Sequence, residues 1–200
     1  STAERIAIGG VPFIVPTEKP TRRDALAYYR GVASHFDLQV RQFETVDHLQ
    51  SLDGAGWRVH TTRRGGGAFT TDARAVVVAT GYFGRPNRLG VLGESLPHVR
   101  HGYTDGHEAW NSDVVIVGGG NSAVDAALDM YRAGGRVTIV HFADAFDVNI
   151  KPWVRPDIEA RIREGAIAAV FRARVVAIES DAVVVDTPEG PRRVPATQVY

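Results

Sequence analysis

The stretch DVVIVGGGNSAVDAALDMYRAGG, residues 113–135, decides the fold. Its four apolar residues at 114–117 predict a buried strand, and three glycines follow that strand directly. Apolar side chains then recur at helical spacing from 123 to 131, and two glycines at 134 and 135 end the pattern. Residues 136–142 return as a second apolar strand. Together these segments predict a right-handed βαβ unit of about 30 residues.

The glycine turn within this unit has the composition of a dinucleotide-binding fingerprint. Gly118 permits a tight turn, Gly120 lets backbone amides approach a pyrophosphate, and Ala123 keeps the helix close to the sheet. The unpaired amides and the helix dipole would hold the anion. The alternative is a plain strand-to-helix turn that needs glycine only for its backbone geometry. The strand before the turn and the amphipathic helix after it favour pyrophosphate binding by Gly118, Gly119, Gly120, Asn121, Ser122 and Ala123.

The end of the second strand bears on which nicotinamide dinucleotide binds. An NAD site usually carries an Asp or Glu there, to hold the ribose 2′-hydroxyl, whereas this chain reads VHF at 140–142. With no carboxylate to repel a 2′-phosphate, NADPH is favoured over NADH. Asp144 and Asp147 nearby argue against this, as does the lack of an arginine directly after the strand. His141 is alternatively a surface residue at a strand end. Positive charge for the phosphate could come from His141, Lys151 or Arg155.

The rest of the chain alternates between helical and extended patterns. The first part predicts a short strand or hairpin edge at 5–14, a helix at 21–36 and a second short strand at 38–40. An antiparallel meander at 41–78 then runs into a continuous apolar strand at 75–79, which we expect to be buried on both faces.

A segment rich in Gly, Pro and Asn follows at 80–93 and predicts a linker between domains. We place a first domain, which includes the meander and this linker, at 1–110 and an NAD(P)H-binding Rossmann domain at 111–200. The second domain is expected to contain a helix at 156–164 and a tail of strands from 174 onward.

Composition excludes several classes of function. The 23 basic and 23 acidic residues give a net charge of +0, so no long-range field attracts nucleic acid or an anionic membrane. No cysteine is present, which excludes a disulfide framework, a thiolate metal site and a dithiol redox centre within the chain. No apolar run reaches the roughly 18 residues of a membrane-spanning helix, so we expect a soluble cytoplasmic protein. We also expect no metal site. The missing initiator methionine indicates a piece of a longer protein.

Four stretches carry a resemblance to a known family. They are ATG at 79–81, followed by Tyr82 and Pro86; GESLPHVRHGY at 93–103; GGGNSAVDAALDMYRAG at 118–134; and NIKPWVRPDIE at 149–159. Over nearly its whole length the chain resembles the bacillithiol disulfide reductases, which are thioredoxin-reductase-like flavoproteins. The NIKPW stretch is the most specific to that family.

The resemblance implies an α/β, Rossmann-like architecture with two dinucleotide-binding domains and a small antiparallel meander, in which residues 1–110 would be a partial FAD-binding domain. It also implies an enzyme that passes hydride from NADPH to FAD and then electrons to a low-molecular-weight disulfide, here bacillithiol disulfide. Thr80, Gly81 and Tyr82 would lie beside the flavin nucleotide, and Lys151 would touch the NADPH phosphate, while Trp153 could equally be core packing. Homodimers are common in such proteins.

The chain also departs from the family pattern. The family's N-terminal glycine turn, its redox cysteine and the C-terminal segment that closes around the flavin are not found in these residues. We therefore expect FAD binding and reductase activity only in the full-length protein, and we assign no catalytic residue here. Two alternatives remain at this point: a flavin-dependent monooxygenase, whose histidine-containing fingerprint residues 101–110 match poorly, and a non-catalytic NADP(H)-sensing module.

Overall fold

The computed structural model describes residues 3–17, 19–81 and 84–200. Contacts divide the chain into two compact units, Ser1–Ala79 and Thr80–Tyr200. The domain boundary predicted at residue 110 divides the chain by the nucleotide that each part would bind, not by contacts. That division stays a prediction. Among the described residues, no helix has both the length and the apolar character needed to cross a membrane.

The first unit contains one long helix, as the sequence predicts. A 3₁₀ turn, Ala3–Ile6, precedes helix α1, Arg22–His35. Thr21 caps this helix in a capping box: its hydroxyl accepts from the amide of Asp24 at 3.2 Å, and the Asp24 carboxylate accepts from the Thr21 amide at 2.9 Å. Two of the orphan donors at the helix start are satisfied in this way.

The predicted meander is confirmed as a three-stranded antiparallel sheet in the order β1-β2-β3. Its strands are β1, Glu44–Ser51; β2, Trp57–Arg63; and β3, Ala68–Ala73. The Glu44 carboxylate ties the first two strands together, accepting from the Thr61 hydroxyl at 2.7 Å and from Arg63 Nε at 2.9 Å. These hydrogen bonds, that of Arg63 first, lower the pKa of Glu44 to about 2.

Two strand predictions in the first unit are wrong, and a third is reduced to a single antiparallel bridge. Residues 5–14 form only an isolated bridge between Ile8 and Val11, because the intervening glycines take positive φ angles of 60° and 77°. Residues 38–40 and 75–79 form no strand either. An apolar run becomes a buried strand only when neighbouring strands pair with its backbone groups. The described residues of this unit provide no such partner for 75–79, so Val77 and Val78 remain 87% and 71% exposed.

The second unit is built on the predicted βαβ unit, which is confirmed. Strands β4, Asp113–Val117, and β5, Arg136–Val140, are parallel and joined by helix α2, Asn121–Arg132. Helix α3, Arg155–Arg163, has proline in its first turn, and strand β6, Ala168–Val170, follows it.

An antiparallel sheet of three strands then forms the predicted tail. Its strands are β7, Arg174–Ile178; β8, Ala182–Thr187; and β9, Gly190–Pro195. Strand β10, Gln198–Val199, returns to the edge of β4 and gives a four-stranded parallel sheet in the order β10-β4-β5-β6.

The core of this unit occupies both faces of the parallel sheet. Val114 and Ile116 pack on the side of α2, whereas Val115 packs on the side of the antiparallel sheet. Successive side chains of a strand point to opposite faces, which explains the division. Each fully buried side chain of this kind adds about 1.5–3 kcal/mol of burial free energy, so β4 is held firmly where the glycine turn begins.

Candidate dinucleotide-binding site

The glycine turn joins β4 to α2 at the carboxyl edge of the parallel sheet. Gly118 has φ +142°, in the region that favours glycine, and a Cβ on it would lie 3.6 Å from the Cβ of Ala123. Gly120 is the N-cap residue of α2, and no side chain caps the helix. The first-turn amides at 121–123 therefore have neither an intrahelical acceptor nor a capping side chain. This arrangement fits an anion such as a pyrophosphate.

Gly119 is required by a close approach. A Cβ on Gly119 would lie 2.5 Å from Cδ2 and Nε2 of the His141 imidazole, which no real side chain could tolerate. Strand β5 ends at Val140, so the sheet itself carries His141 beneath the turn. A larger residue at 119 would fill the space between the turn and the ring. The turn therefore needs glycine at 118 for its positive φ and at 119 for the close approach of the ring.

His141 is buried, which corrects the interpretation of this residue as a surface side chain at a strand end. It is 3% exposed, and within the described chain neither ring nitrogen has a hydrogen-bond partner. The nearest acidic atom is Asp147 Oδ1, 3.7 Å from Nε2. Leaving buried polar atoms unpaired costs about 1–3 kcal/mol each. Nε2 faces Gly119 of the turn, and the contact of His141 with the nucleotide stays a prediction.

Asn121 fastens a neighbouring loop to the turn with its side chain. Its Nδ2 donates to the carbonyl of Asn149 at 2.7 Å, and its Oδ1 accepts from the amide of Lys151 at 2.9 Å. The amide of Asp147 also donates to the carbonyl of Gly119 at 3.1 Å. The side chain of Asn121 is therefore a positioning group, and only its backbone amide faces the predicted anion position as part of the first turn. Sequence reasoning assigned the side chain as a donor to the ligand and missed this bridging role.

The two cationic candidates from the NIKPWVR stretch are already paired. Lys151 Nζ contacts Asp125 at 2.5 Å. Arg155 contacts Glu159 at 3.3 Å and donates to the carbonyl of Asp147 at 2.7 Å. Neither side chain is placed free at the ribose end of the site. Trp153 is 64% exposed, so its interpretation as core packing is wrong.

The residues predicted to lie beside flavin open the second unit. Thr80 and Gly81 are exposed, and Gly81 has φ +78°. Tyr82 lies outside the described residues. No contact within the unit assigns a role to Thr80 or Gly81, so their place beside the flavin nucleotide stays a prediction.

Two cavities adjoin the turn, and the sequence did not identify them. One, of about 190 Å³, is lined by Ser122 and Ala123 of the turn together with Tyr103 and Tyr200. The Tyr103 hydroxyl donates to the Asp129 carboxylate, and burial, followed by that hydrogen bond, raises the pKa of Tyr103 above its usual value. Tyr103 and the turn therefore line the same cavity.

The other cavity, of about 210 Å³, is lined in part by Glu94 and His101. The Glu94 carboxylate accepts from His101 Nε2 at 2.9 Å and from the amides of Leu89 and Gly90 at 2.8 Å each. These bonds, that of His101 first, lower the pKa of Glu94 to about 2. Glu94 thereby holds residues 89–101 in one conformation. Its only sequence signal was its position in the GESLPHVRHGY stretch.

Comparisons with known proteins match nearly the whole chain to one family of oxidoreductases. Residues 1–199 match the family described as pyridine nucleotide-disulphide oxidoreductase. The chain is 38% identical over 184 residues to bacilliredoxin reductase Bdr of Bacillus subtilis (strain 168), covering 92% of this chain and 55% of that protein.

Two solved structures agree with it. The bacillithiol disulfide reductase Bdr from Bacillus cereus is 38% identical, with a TM-score of 0.93 over 100% of this chain and 61% of that one. The enzyme of the same description from Staphylococcus aureus is 36% identical, with a TM-score of 0.89 over 100% of this chain and 60% of that one. The chain therefore spans a little over half the length of these relatives.

Proposed function

The chain belongs to the pyridine nucleotide-disulphide oxidoreductase family, and from this we propose that it forms the NADPH-binding part of a flavin-dependent disulfide reductase. The resemblance to bacillithiol disulfide reductases and the α/β fold class are both confirmed. The observation that carries the proposal is the uncapped start of α2 behind three glycines. The names of the relatives support bacillithiol disulfide as the substrate of the full-length protein.

The residues of this chain bind and orient the cofactors in this proposal. A bound NADPH would supply hydride, with FAD of the full-length protein as its acceptor and a small disulfide as the final electron acceptor. Backbone amides at 121–123 hold the pyrophosphate, and Gly118, Gly119 and Gly120 admit it. His141 donates from beneath the turn, and Lys151 keeps the adjoining loop in place through Asp125. Thr80 and Gly81 would lie beside the flavin nucleotide of the full-length protein, as the resemblance implies, and the same assignment for Tyr82 rests on that resemblance alone.

Turnover by the full-length holoprotein tests this proposal. We expect purified protein to carry FAD and to oxidise NADPH in step with reduction of bacillithiol disulfide, under argon as well as in air. Stoichiometric measurement of thiol produced per NADPH consumed is the readout. If oxygen is consumed at the rate of NADPH oxidation, and adding the disulfide does not change that rate, the proposal is overturned in favour of a monooxygenase. Binding of NADP(H) without any turnover would overturn it in favour of a sensing module.

We also propose that the full-length protein is a cytoplasmic homodimer, since this is what the resemblance implies. Size-exclusion chromatography with light scattering should give twice the mass of one full-length chain. A monomer at micromolar concentration would contradict it.

A further inference from the structure

Three strands of the second unit end side by side at the carboxyl edge of the parallel sheet. The glycine turn follows β4, His141 and Phe142 follow β5, and Phe171 and Arg172 follow β6. In dinucleotide-binding folds the ribose of the adenosine lies at the end of the second strand of the βαβ unit. That strand is β5, and Phe142 at its end is 60% exposed.

The segment after β6 is hydrogen-bonded directly to the segment after β5. The amide of Arg172 donates to the carbonyl of Ala143 at 2.8 Å, and the amide of Ala173 donates to the carbonyl of His141 at 3.0 Å. Arg174 then places its guanidinium carbon 5.4 Å from the centroid of the Phe142 ring, within the range of a cation–π contact. The Arg174 guanidinium therefore lies against Phe142, and the backbone of Arg172 is fixed to the segment that follows β5.

Both arginines are exposed, and neither forms an ion pair with a described residue; Asp186 is the residue opposite Arg174 in the register of β7 and β8. Within the described ranges, no carboxylate oxygen lies within 4.0 Å of either guanidinium. Asp144 and Asp147, on the same edge of the sheet, pair with neither of them. The cations predicted from sequence for this role, Lys151 and Arg155, are by contrast held by carboxylates on α2 and α3. The available positive charge at this edge therefore comes from Arg172 and Arg174.

We propose that Arg172 and Arg174 bind the 2′-phosphate of NADPH and set the preference for NADPH over NADH, with Phe142 orienting Arg174. The guanidinium group offers paired donors that match phosphate geometry. The inference also accounts for the absence of an arginine directly after β5, because the fold supplies that charge from the next connection instead. It rests on the proposed function, since it needs a dinucleotide on the glycine turn.

Equilibrium binding to the full-length holoprotein tests the inference without turnover. Calorimetric titrations with NADP⁺, NAD⁺, adenosine 2′,5′-bisphosphate and ADP would be run on wild type and on the double variant Arg172→Gln/Arg174→Gln. We expect the variant to lose about ten- to a hundredfold in affinity for NADP⁺ and for the bisphosphate. Its affinity for NAD⁺ and ADP should change less than about twofold. In steady-state kinetics the KM for NADPH should rise while kcat is kept.

Arg163→Gln is the matched control. Arg163 is exposed and has no ion pair within the described residues. It lies two residues before Gly165, which lines the amino edge of the sheet with Asp113 and Arg136. This variant should bind all four ligands as wild type does, with unchanged flavin content and circular dichroism.

The outcomes separate the inference from the proposed function. Unchanged discrimination in the double variant overturns the inference alone, as does a wild type that prefers NAD⁺. An equal loss of affinity for NADP⁺ and NAD⁺ in the double variant also overturns the inference, because the arginines would then not contact the 2′-phosphate. A wild type that binds neither dinucleotide overturns the proposed function together with the inference.

Discussion

The contact between Gly119 and His141 gives the sharpest prediction about the site. In Gly119→Ala the new Cβ would lie 2.5 Å from two atoms of the imidazole and 2.6 Å from Cε1. An ordinary contact is at least 3.4 Å, so the ring or the turn must move by about 1 Å. The ring is 3% exposed and packs against Phe142 and Phe171, with centroids at 4.7 Å and 6.4 Å, which limits its retreat.

Overpacking of this kind costs about 1–3 kcal/mol. For a domain of this size each kcal/mol lowers the melting temperature by about 2–4 °C. We therefore expect Gly119→Ala to lower the melting temperature of the full-length protein and to weaken NADP⁺ binding, because the turn that holds the pyrophosphate is displaced. Thermal unfolding and calorimetric titration measure the two effects.

A double-mutant cycle identifies the cause. His141→Ala removes the ring, so the double variant Gly119→Ala/His141→Ala should be less destabilised than the sum of the single variants, by about 1–3 kcal/mol of coupling. Gly31→Ala is the control, since Gly31 lies within α1 with nothing within 4 Å of its added Cβ. It should stabilise by about 0.5–1 kcal/mol. Strict additivity in the cycle would refute the steric argument.

Three further predictions concern the supports of the fold. Asn121→Ala removes both hydrogen bonds to the loop at 149–151 and should lower the free energy of local opening of that loop by about 1–3 kcal/mol. Amide hydrogen exchange of the loop should become faster, and unchanged protection would contradict the bridging role. The folded-state pKa of Glu94 is about 2, below its usual 4.5, so its contribution to stability is present above about pH 4.5 and is lost as the pH falls toward 2. Urea unfolding at pH 5 and pH 3 should therefore show a smaller loss in Glu94→Gln than in wild type, and equal losses would show that the carboxylate contributes nothing. Thr21→Ala removes the capping box of α1 and should cost about 1 kcal/mol in chemical denaturation, whereas Thr21→Ser should keep most of that stability.

Local pattern was sufficient for the parts of the chain whose partners lie close in sequence. The βαβ unit at 113–140 follows from one apolar strand, one glycine turn and one amphipathic helix, each readable within a dozen residues. The meander of β1, β2 and β3 was predictable for the same reason, because short turns join strands that pair with their neighbours. Helix α1 was marked by its capping residues.

Local pattern failed where pairing partners were decisive. The run at 75–79 has the apolar composition of a buried strand, but composition does not supply the neighbouring strands that would cover it. The alternative that His141 faces solvent at the strand end is wrong, because the ring is enclosed beneath Gly119. Burial depends on what packs above a residue, and periodicity along a single strand contains no information about that.

The amino-acid order alone predicted an anion site at the amides after β4, because a glycine turn between an apolar strand and an amphipathic helix leaves those amides open to a diphosphate. Only the folded chain decided which charged side chains meet at the carboxyl edge of the parallel sheet. Parallel strands bring their carboxyl ends to one edge whatever their separation in sequence, so Arg172 and Arg174 lie beside Phe142, while Lys151 and Arg155, much closer along the chain, are held by acidic partners.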